Sequence, residues 1–208
     1  MGILSWSTAR LYDTVMQHTE KVCLGPWRRE LLADLSGSVL EIGAGTGANL
    51  DYYPETITEY VLAEPDHHMR QRLAKKLASR GLTSRLYDNV AENLPFADNA
   101  FDNAVATLVL CSVSSPGRSL EELYRVLRPG GSLILIEHVV DPNRSGVYRW
   151  QRRIEPFWRC CAGNCHLTRD TFSTLNDAGF DCRQLQRDSM HGAVSLVAPV
   201  IRGIAKKP

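Results

Sequence analysis

Residues Val39-Leu40-Glu41-Ile42-Gly43-Ala44-Gly45-Thr46-Gly47 set three alternate glycines behind an apolar run, and Glu64-Pro65 closes a second apolar run about 20 residues later. A short apolar run makes a buried strand, and glycines after it let bare backbone turn sharply against a ligand. A carboxylate at the tip of the next strand offers two acceptor oxygens in one plane, which suits a pair of ribose hydroxyls. The chemistry implied is capture of a nucleotide-type cofactor. A nicotinamide dinucleotide and S-adenosylmethionine both fit, because Gly43-x-Gly45-x-x-Ala48 also satisfies a dinucleotide fingerprint whose third position tolerates alanine.

Other reactive side chains lie in the second half. Cys160, Cys161, Cys165 and His166 crowd together, but adjacent cysteines and an adjacent Cys-His suit no common tetrahedral zinc spacing, so no metal is expected. They read as reduced side chains of a lid, or as a redox-sensitive group. Cys111 reads as strand-end packing. Arg149, Arg152, Arg153 and Arg159, interleaved with Trp150 and Trp158, fit either an anion contact or a solvated amphipathic face.

Positioning the glycines and the acid requires alternating strands and helices. Strands are expected at 39–42, 59–63, 84–87, 101–107 and 133–137, the pattern of an α/β protein with a mostly parallel sheet. Asp66 caps a helix carrying Met69, Leu73 and Leu77, which Gly81 ends. Ser119 and Glu122 form a capping box ahead of Leu120, Leu123, Tyr124 and Leu127, and Pro129-Gly130-Gly131 stops that helix. Thr168 caps a helix through Phe172 and Leu175 to Gly179, after which 181–187 and 194–201 form a closing strand pair. The first 36 residues read as helical, and 141–166 lacks clear periodicity. Both read as cover over the ligand edge of the sheet. The 208 residues suit one domain: a helical lid (1–36), a cofactor core (37–140), a substrate lid (141–166) and a closing helix with strands (167–208).

With 24 basic and 23 acidic residues the chain carries a formal charge of +1, so no net field recruits nucleic acid or anionic lipid. A small molecule is the expected partner. Met1 to Glu20 contains no apolar run of signal or membrane-span length, and the six cysteines suit reduced thiols. A soluble, cytoplasmic protein without a membrane anchor is expected.

The acid two residues before Gly43, the glycine at 47, Ala91-Glu92-Asn93-Leu94-Pro95-Phe96, Phe101-Asp102 and Arg125-Val126-Leu127-Arg128-Pro129-Gly130-Gly131 together resemble class I S-adenosylmethionine-dependent methyltransferases of the ubiquinone type. Residues 45–49 leading to Tyr53-Pro54, then Thr107 to Val113, Glu137-His138-Val139, Trp150-Gln151, Pro156, Trp158, Asn164 and Leu167-Thr168-Arg169 resemble the membrane-associated thiol S-methyltransferases. The resemblance implies a Rossmann-like, seven-stranded, mostly parallel sheet with helices on both faces and a terminal antiparallel strand. It implies cofactor contacts from Gly43, Gly45, Gly47 and Glu41 to the methionine part and from Glu64 to the ribose. Ala91 and Glu92 would face the adenine, Leu108 and Ser112 the sulfonium, and Tyr12 would close the pocket from the lid. The family's N-terminal hydrophobic anchor is not found in this sequence.

Methyl transfer is an in-line displacement, so alignment in a dry pocket does most of the work. No Asn/Asp-Pro-Pro-aromatic clamp follows the fourth strand and no Pro-Cys pair is present, which argues against nucleic acid. The expected reaction is S-methylation of a small-molecule thiol, with His138 as the catalytic base and His166 as a second candidate. Oxygen, nitrogen or carbon acceptors in a natural-product or quinone-like molecule remain an alternative, as does a non-catalytic cofactor-binding regulator. A dehydrogenase is the rival from another enzyme class, and oligomeric state is left open.

Overall fold

The computed structural model describes residues 18–141 and 145–208. Seven strands, β1 (Gly37–Ile42), β2 (Ile57–Ala63), β3 (Arg85–Tyr87), β4 (Phe101–Thr107), β5 (Leu127–His138), β6 (Asp181–Ser189) and β7 (Pro199–Lys206), form one sheet in the order β3-β2-β1-β4-β5-β7-β6. β7 pairs antiparallel with β5 and β6, and the β3-β2-β1-β4-β5 pairs are parallel. The expected mostly parallel sheet is therefore present, with its antiparallel strand inserted one place inside the edge. The chain leaves β1 toward β2 on one side and returns as β4 on the other. That reversal opens a crevice at the carboxyl ends of β1 and β4, the place where open α/β sheets take ligands.

Among the described residues five α-helices cover the sheet. A π turn, Glu20–Leu24, runs into α1 (Gly25–Leu32). There follow α2 (His67–Arg80), α3 (Pro116–Val126), α4 (Ser145–Cys161) and α5 (Thr171–Asp177). Successive side chains of each strand alternate between faces. Leu40, Ile42, Ala104, Ala106, Leu133 and Leu135 pack with Leu120, Leu123 and Leu175. Val39, Val105 and Ile134 pack on the other face with Leu32 and Leu35 beside α1. Each fully buried aliphatic side chain contributes about 2 kcal/mol.

Asp66 caps α2 by accepting from the Met69 amide at 2.8 Å, and Gly81 ends it at a φ of 63°. Four boundaries depart from the sequence pattern. Pro116 starts α3 a turn early, so Ser119 lies inside the helix, donating to the Ser115 carbonyl at 3.0 Å, and Glu122 accepts from Leu94 N–H instead of closing a capping box. Pro129, Gly130 and Gly131 lie within β5, after α3 has already ended. Asp170, not Thr168, caps α5, because Thr168 gives both its amide and its hydroxyl to Glu155. The last strand begins at Pro199 rather than 194, since Met190 N–H bonds to the Ala198 carbonyl and closes a turn between them. Residues 145–161 form a helix that the sequence pattern hides, because its buried position is a glutamine, Gln151, instead of an apolar residue. No helix among the described residues is long and apolar enough to cross a membrane.

Candidate active site

All three glycines after β1 are left-handed, with φ of 57° at Gly43, 56° at Gly45 and 84° at Gly47. They serve different ends. A Cβ on Gly43 would run into the Val109 side chain, and one on Gly47 would meet Leu50 and Leu73 at 2.8 Å. Both glycines therefore permit close packing. A Cβ on Gly45 would meet nothing nearer than 3.9 Å, so only Gly45 fronts open space. Glu64 directly follows β2 beside it. One carboxylate oxygen accepts from Gly45 N–H at 2.7 Å, and the other from Asp66 N–H at 2.8 Å. Each oxygen keeps a second lone pair, so the carboxylate can brace the loop and still take a hydroxyl. Burial pushes the Glu64 carboxyl above the usual range, against the two amides that lower it. Pro65 sits exposed at the rim, its carbonyl held by Arg70 at 3.0 Å.

Glu41 points elsewhere. It shares the Val39 face of β1 and lies in a buried polar cluster. It accepts from Asn49 Nδ2 at 2.8 Å, Tyr60 Oη at 2.8 Å and Tyr53 Oη at 3.0 Å. Arg28 of α1 joins by bonding Asn49 Oδ1, Thr107 Oγ1 and Glu20. Burial raises the Glu41 carboxyl, opposed by those three donors and by Arg28. Glu41 thus fixes Asn49 behind the glycine loop. Glu92 is likewise engaged, one oxygen accepting from Ser114 and Ser115 amides at 2.7 and 3.0 Å ahead of α3. Ala91 is buried next to it, and the neighbouring Val90 is exposed. Tyr12 lies outside the described residues.

Across the crevice, Leu108 follows β4 with a φ of 55°, an uncommon conformation for a branched residue. Glu137, wholly buried at the end of β5, holds the turn in place. Its carboxylate accepts from Val109 N–H at 2.8 Å, Leu110 N–H at 2.9 Å and Cys111 N–H at 3.3 Å. Burial outweighs those amides and pushes the Glu137 carboxyl up to about 7. Arg169 clamps the same turn through the Leu110 and Val113 carbonyls at 2.7 and 2.6 Å. Ser112, half-buried, accepts on its carbonyl from Asn164 Nδ2 at 2.8 Å.

His138 is 2% exposed. Its Nε2 lies 3.2 Å from the Leu196 carbonyl, which also accepts from Gln151 Nε2 at 2.9 Å. A carbonyl only accepts, so Nε2 carries a hydrogen toward it. Nδ1 has no nitrogen or oxygen partner, nor have Gln151 Oε1 and the Trp158 indole N–H. Cys165 reaches this place. The Cys111 thiol donates to it, and with the His138 ring and the Trp158 indole it holds the Cys165 thiol well below its usual range, against burial. Cys111 is driven up by the same contact, by burial and by the Glu137 charge. His166 is set apart, paired with Glu155 at 3.4 Å. Among the described residues no cluster of histidine, cysteine and carboxylate side chains suits a metal ion.

Glu137, Arg169, Arg28 and Cys165 therefore join the site beside the residues the motifs single out. Glu137 was legible only as an acid at a strand end, and nothing in the spacing pairs Cys165 with Cys111.

A glycine turn and a strand-end acid flanking the reversal point of this sheet define the class: an S-adenosylmethionine-dependent methyltransferase with a Rossmann-like α/β fold. The open face of Gly45 and the spare lone pairs of Glu64 fit that cofactor. A family model described as "Methyltransferase domain" matches residues 40–135. Human thiol S-methyltransferase TMT1B is 38% identical, with 86% of this chain and 78% of that protein covered. Human thiol S-methyltransferase TMT1A is 37% identical, covering all of this chain and 90% of that one. Among solved structures, an S-adenosylmethionine-dependent methyltransferase from Thermotoga maritima superposes over the whole of both chains with a TM-score of 0.68 at 24% identity. A geranyl diphosphate methyltransferase in complex with S-adenosylmethionine gives 0.71 at 12% identity, over 92% of this chain and 87% of that one. The chain belongs to the family of thiol S-methyltransferases that includes TMT1A and TMT1B.

Proposed function

We propose that this enzyme methylates the sulfur of a small-molecule thiol. One observation carries the reading beyond kinship: the end of β5 already favours a sulfur anion, since Cys165 is lowered there by Cys111, His138 and Trp158. Donors that lower one thiol mark the end of β5 as an environment for anionic sulfur, and a thiolate, not a thiol, is the nucleophile. The names of TMT1A and TMT1B agree.

S-Adenosylmethionine supplies an electrophilic methyl on a cationic sulfur. Gly45 and Glu64 bind it, Glu41 acts behind them through Asn49, and Ala91 and Glu92 shape the adenine side. The Leu108–Ser112 turn, fixed by Glu137 and Arg169, walls the crevice toward the acceptor. His138 is the base for the acceptor proton, and the Leu196 carbonyl holds its Nε2–H and the ring plane. A carbon–sulfur bond forms to the acceptor as the one to the sulfonium breaks. We read residues 37–140 as the cofactor core and the flanking 1–36 and 141–166 as its covers. We infer a cytoplasmic setting from the cysteine usage of the sequence, which fractionation of cells tests.

The test is incubation with the methyl donor and a panel of thiol, phenol, amine and quinol acceptors, read by product mass. Methyl thioether is expected, and turnover of the other acceptors with none of any thiol would reverse the assignment. His138→Gln should lower kcat more than it weakens donor binding. An equal loss in both would make His138 a packing residue.

A further inference from the structure

Cys111 and Cys165 lie far apart in sequence and meet in the fold. The Asn164–His166 segment is laid on the turn after β4 by His166 N–H bonding the Cys111 carbonyl at 2.8 Å and by Asn164 Nδ2 bonding the Ser112 carbonyl at 2.8 Å. Arg169 anchors the same two segments to each other. Those bonds bring the two side chains close enough that each thiol shifts the other's titration. Their surroundings differ: Cys111 is buried, and Cys165 is partly open to solvent. An accessible sulfur backed by a buried one in contact is the arrangement of an attacking and a resolving thiol.

We propose that Cys111 and Cys165 form a reversible disulfide under peroxide, and that this bond arrests methyl transfer. The Cys165 sulfur attacks hydrogen peroxide: a sulfur–oxygen bond forms, the oxygen–oxygen bond breaks, and the departing oxygen leaves as water. The Cys111 sulfur then attacks Cys165: a sulfur–sulfur bond forms, the sulfur–oxygen bond breaks, and a second water carries off the Cys111 proton. The thiols lose two protons and two electrons, and the peroxide gains them. Closing a disulfide of about 2.05 Å pulls on Cys111 as well as on Cys165. Cys111 N–H is one of the three amides on Glu137, in the turn that holds Leu108 at positive φ. Displacing it disorders the wall of the crevice. Formation of the bond does not depend on the acceptor assigned above; its effect on turnover rests on that reading.

Trypsin leaves Cys160, Cys161 and Cys165 on one peptide, so the experiment uses the Cys160→Ser, Cys161→Ser background, both side chains being exposed. The full chain is treated with hydrogen peroxide, alkylated, digested and analysed by mass. The expected product joins the peptide 86–118 to the peptide 160–169 with loss of two hydrogens. Turnover of a thiol falls several-fold and returns with dithiothreitol. Alkylated Cys111 beside a sulfinic Cys165 would overturn the pair. A linked peptide with unchanged turnover would overturn its control of the enzyme. Absence of thiol methylation by the reduced enzyme strikes the function proposed above and leaves the mass measurement standing. In Cys111→Ser, checked for an unchanged fold by circular dichroism, the linked peptide should be missing and peroxide losses should resist dithiothreitol.

Discussion

Glu137→Gln tests the most consequential buried charge in the molecule. The folded carboxyl titrates at about 7, against 4.5 when free, because burial outweighs the three amides that favour its charge. The native state therefore binds more protons than the unfolded state between those values, and Glu137 withdraws stability as pH rises through that window. Between about pH 5 and about pH 8 the loss amounts to about 2.5 kcal/mol. Glutamine cannot ionise, so the variant lacks this slope. It carries instead a nearly constant penalty. Its amide oxygen serves Val109 and Leu110 while its NH2 opposes Cys111 N–H, at a cost of about 1–3 kcal/mol. Cys165, lowered in the folded state, works in the opposite sense, gaining stability as pH rises above its folded value toward that of a free thiol. Subtracting variant from parent removes most of that contribution. The assay is urea unfolding of both proteins at a series of pH values. The parent should lose its margin over the variant by about 2–3 kcal/mol from acid to weakly alkaline buffer. Parallel curves, with a constant offset throughout, would refute titration of Glu137 in this range.

Glu64→Ala removes the acceptor for Gly45 and Asp66 amides as well as a hydroxyl contact, so donor affinity by calorimetry should fall about 10- to 100-fold; unchanged affinity would dismiss the ribose role. Gly43→Ala meets Val109 as well as an unfavourable φ and should cost about 2–4 kcal/mol of unfolding free energy. Gly45→Ala, with room for its methyl, should cost only about 1–2 kcal/mol but lose donor binding, a contrast that thermal melts and titration read together. Asp170→Ala should destabilise by about 1 kcal/mol as the cap of α5, measured by denaturant midpoint; no loss would return the capping role to another residue.

Local chemistry made much of this protein readable along the chain. The apolar runs of β1, β2 and β4, the Asp66 cap, the Gly81 stop and the glycine loop depend on neighbours within a few residues, and those neighbours are in the sequence. Glu64 was legible for the same reason, being one crossover away from the loop it braces. Helix α4 was not, since a buried Gln151 and a half-buried Glu155 break the apolar period that would mark it. Contacts between distant segments are a different matter. Which face of β1 Glu41 occupies follows from strand alternation, but that Arg28, Asn49, Tyr53 and Tyr60 fill that space depends on where α1 and β2 pack. That Glu137 receives three amides of a turn nearly thirty residues earlier, and that Cys165 settles against Cys111 and His138, is decided only when β4, β5 and the segment after α4 close together. The sequence by itself determined the strand–glycine–acid unit, because backbone geometry and hydrophobic period act locally. The tertiary structure alone decided which buried charges and thiols meet, because desolvation and hydrogen bonding act through space.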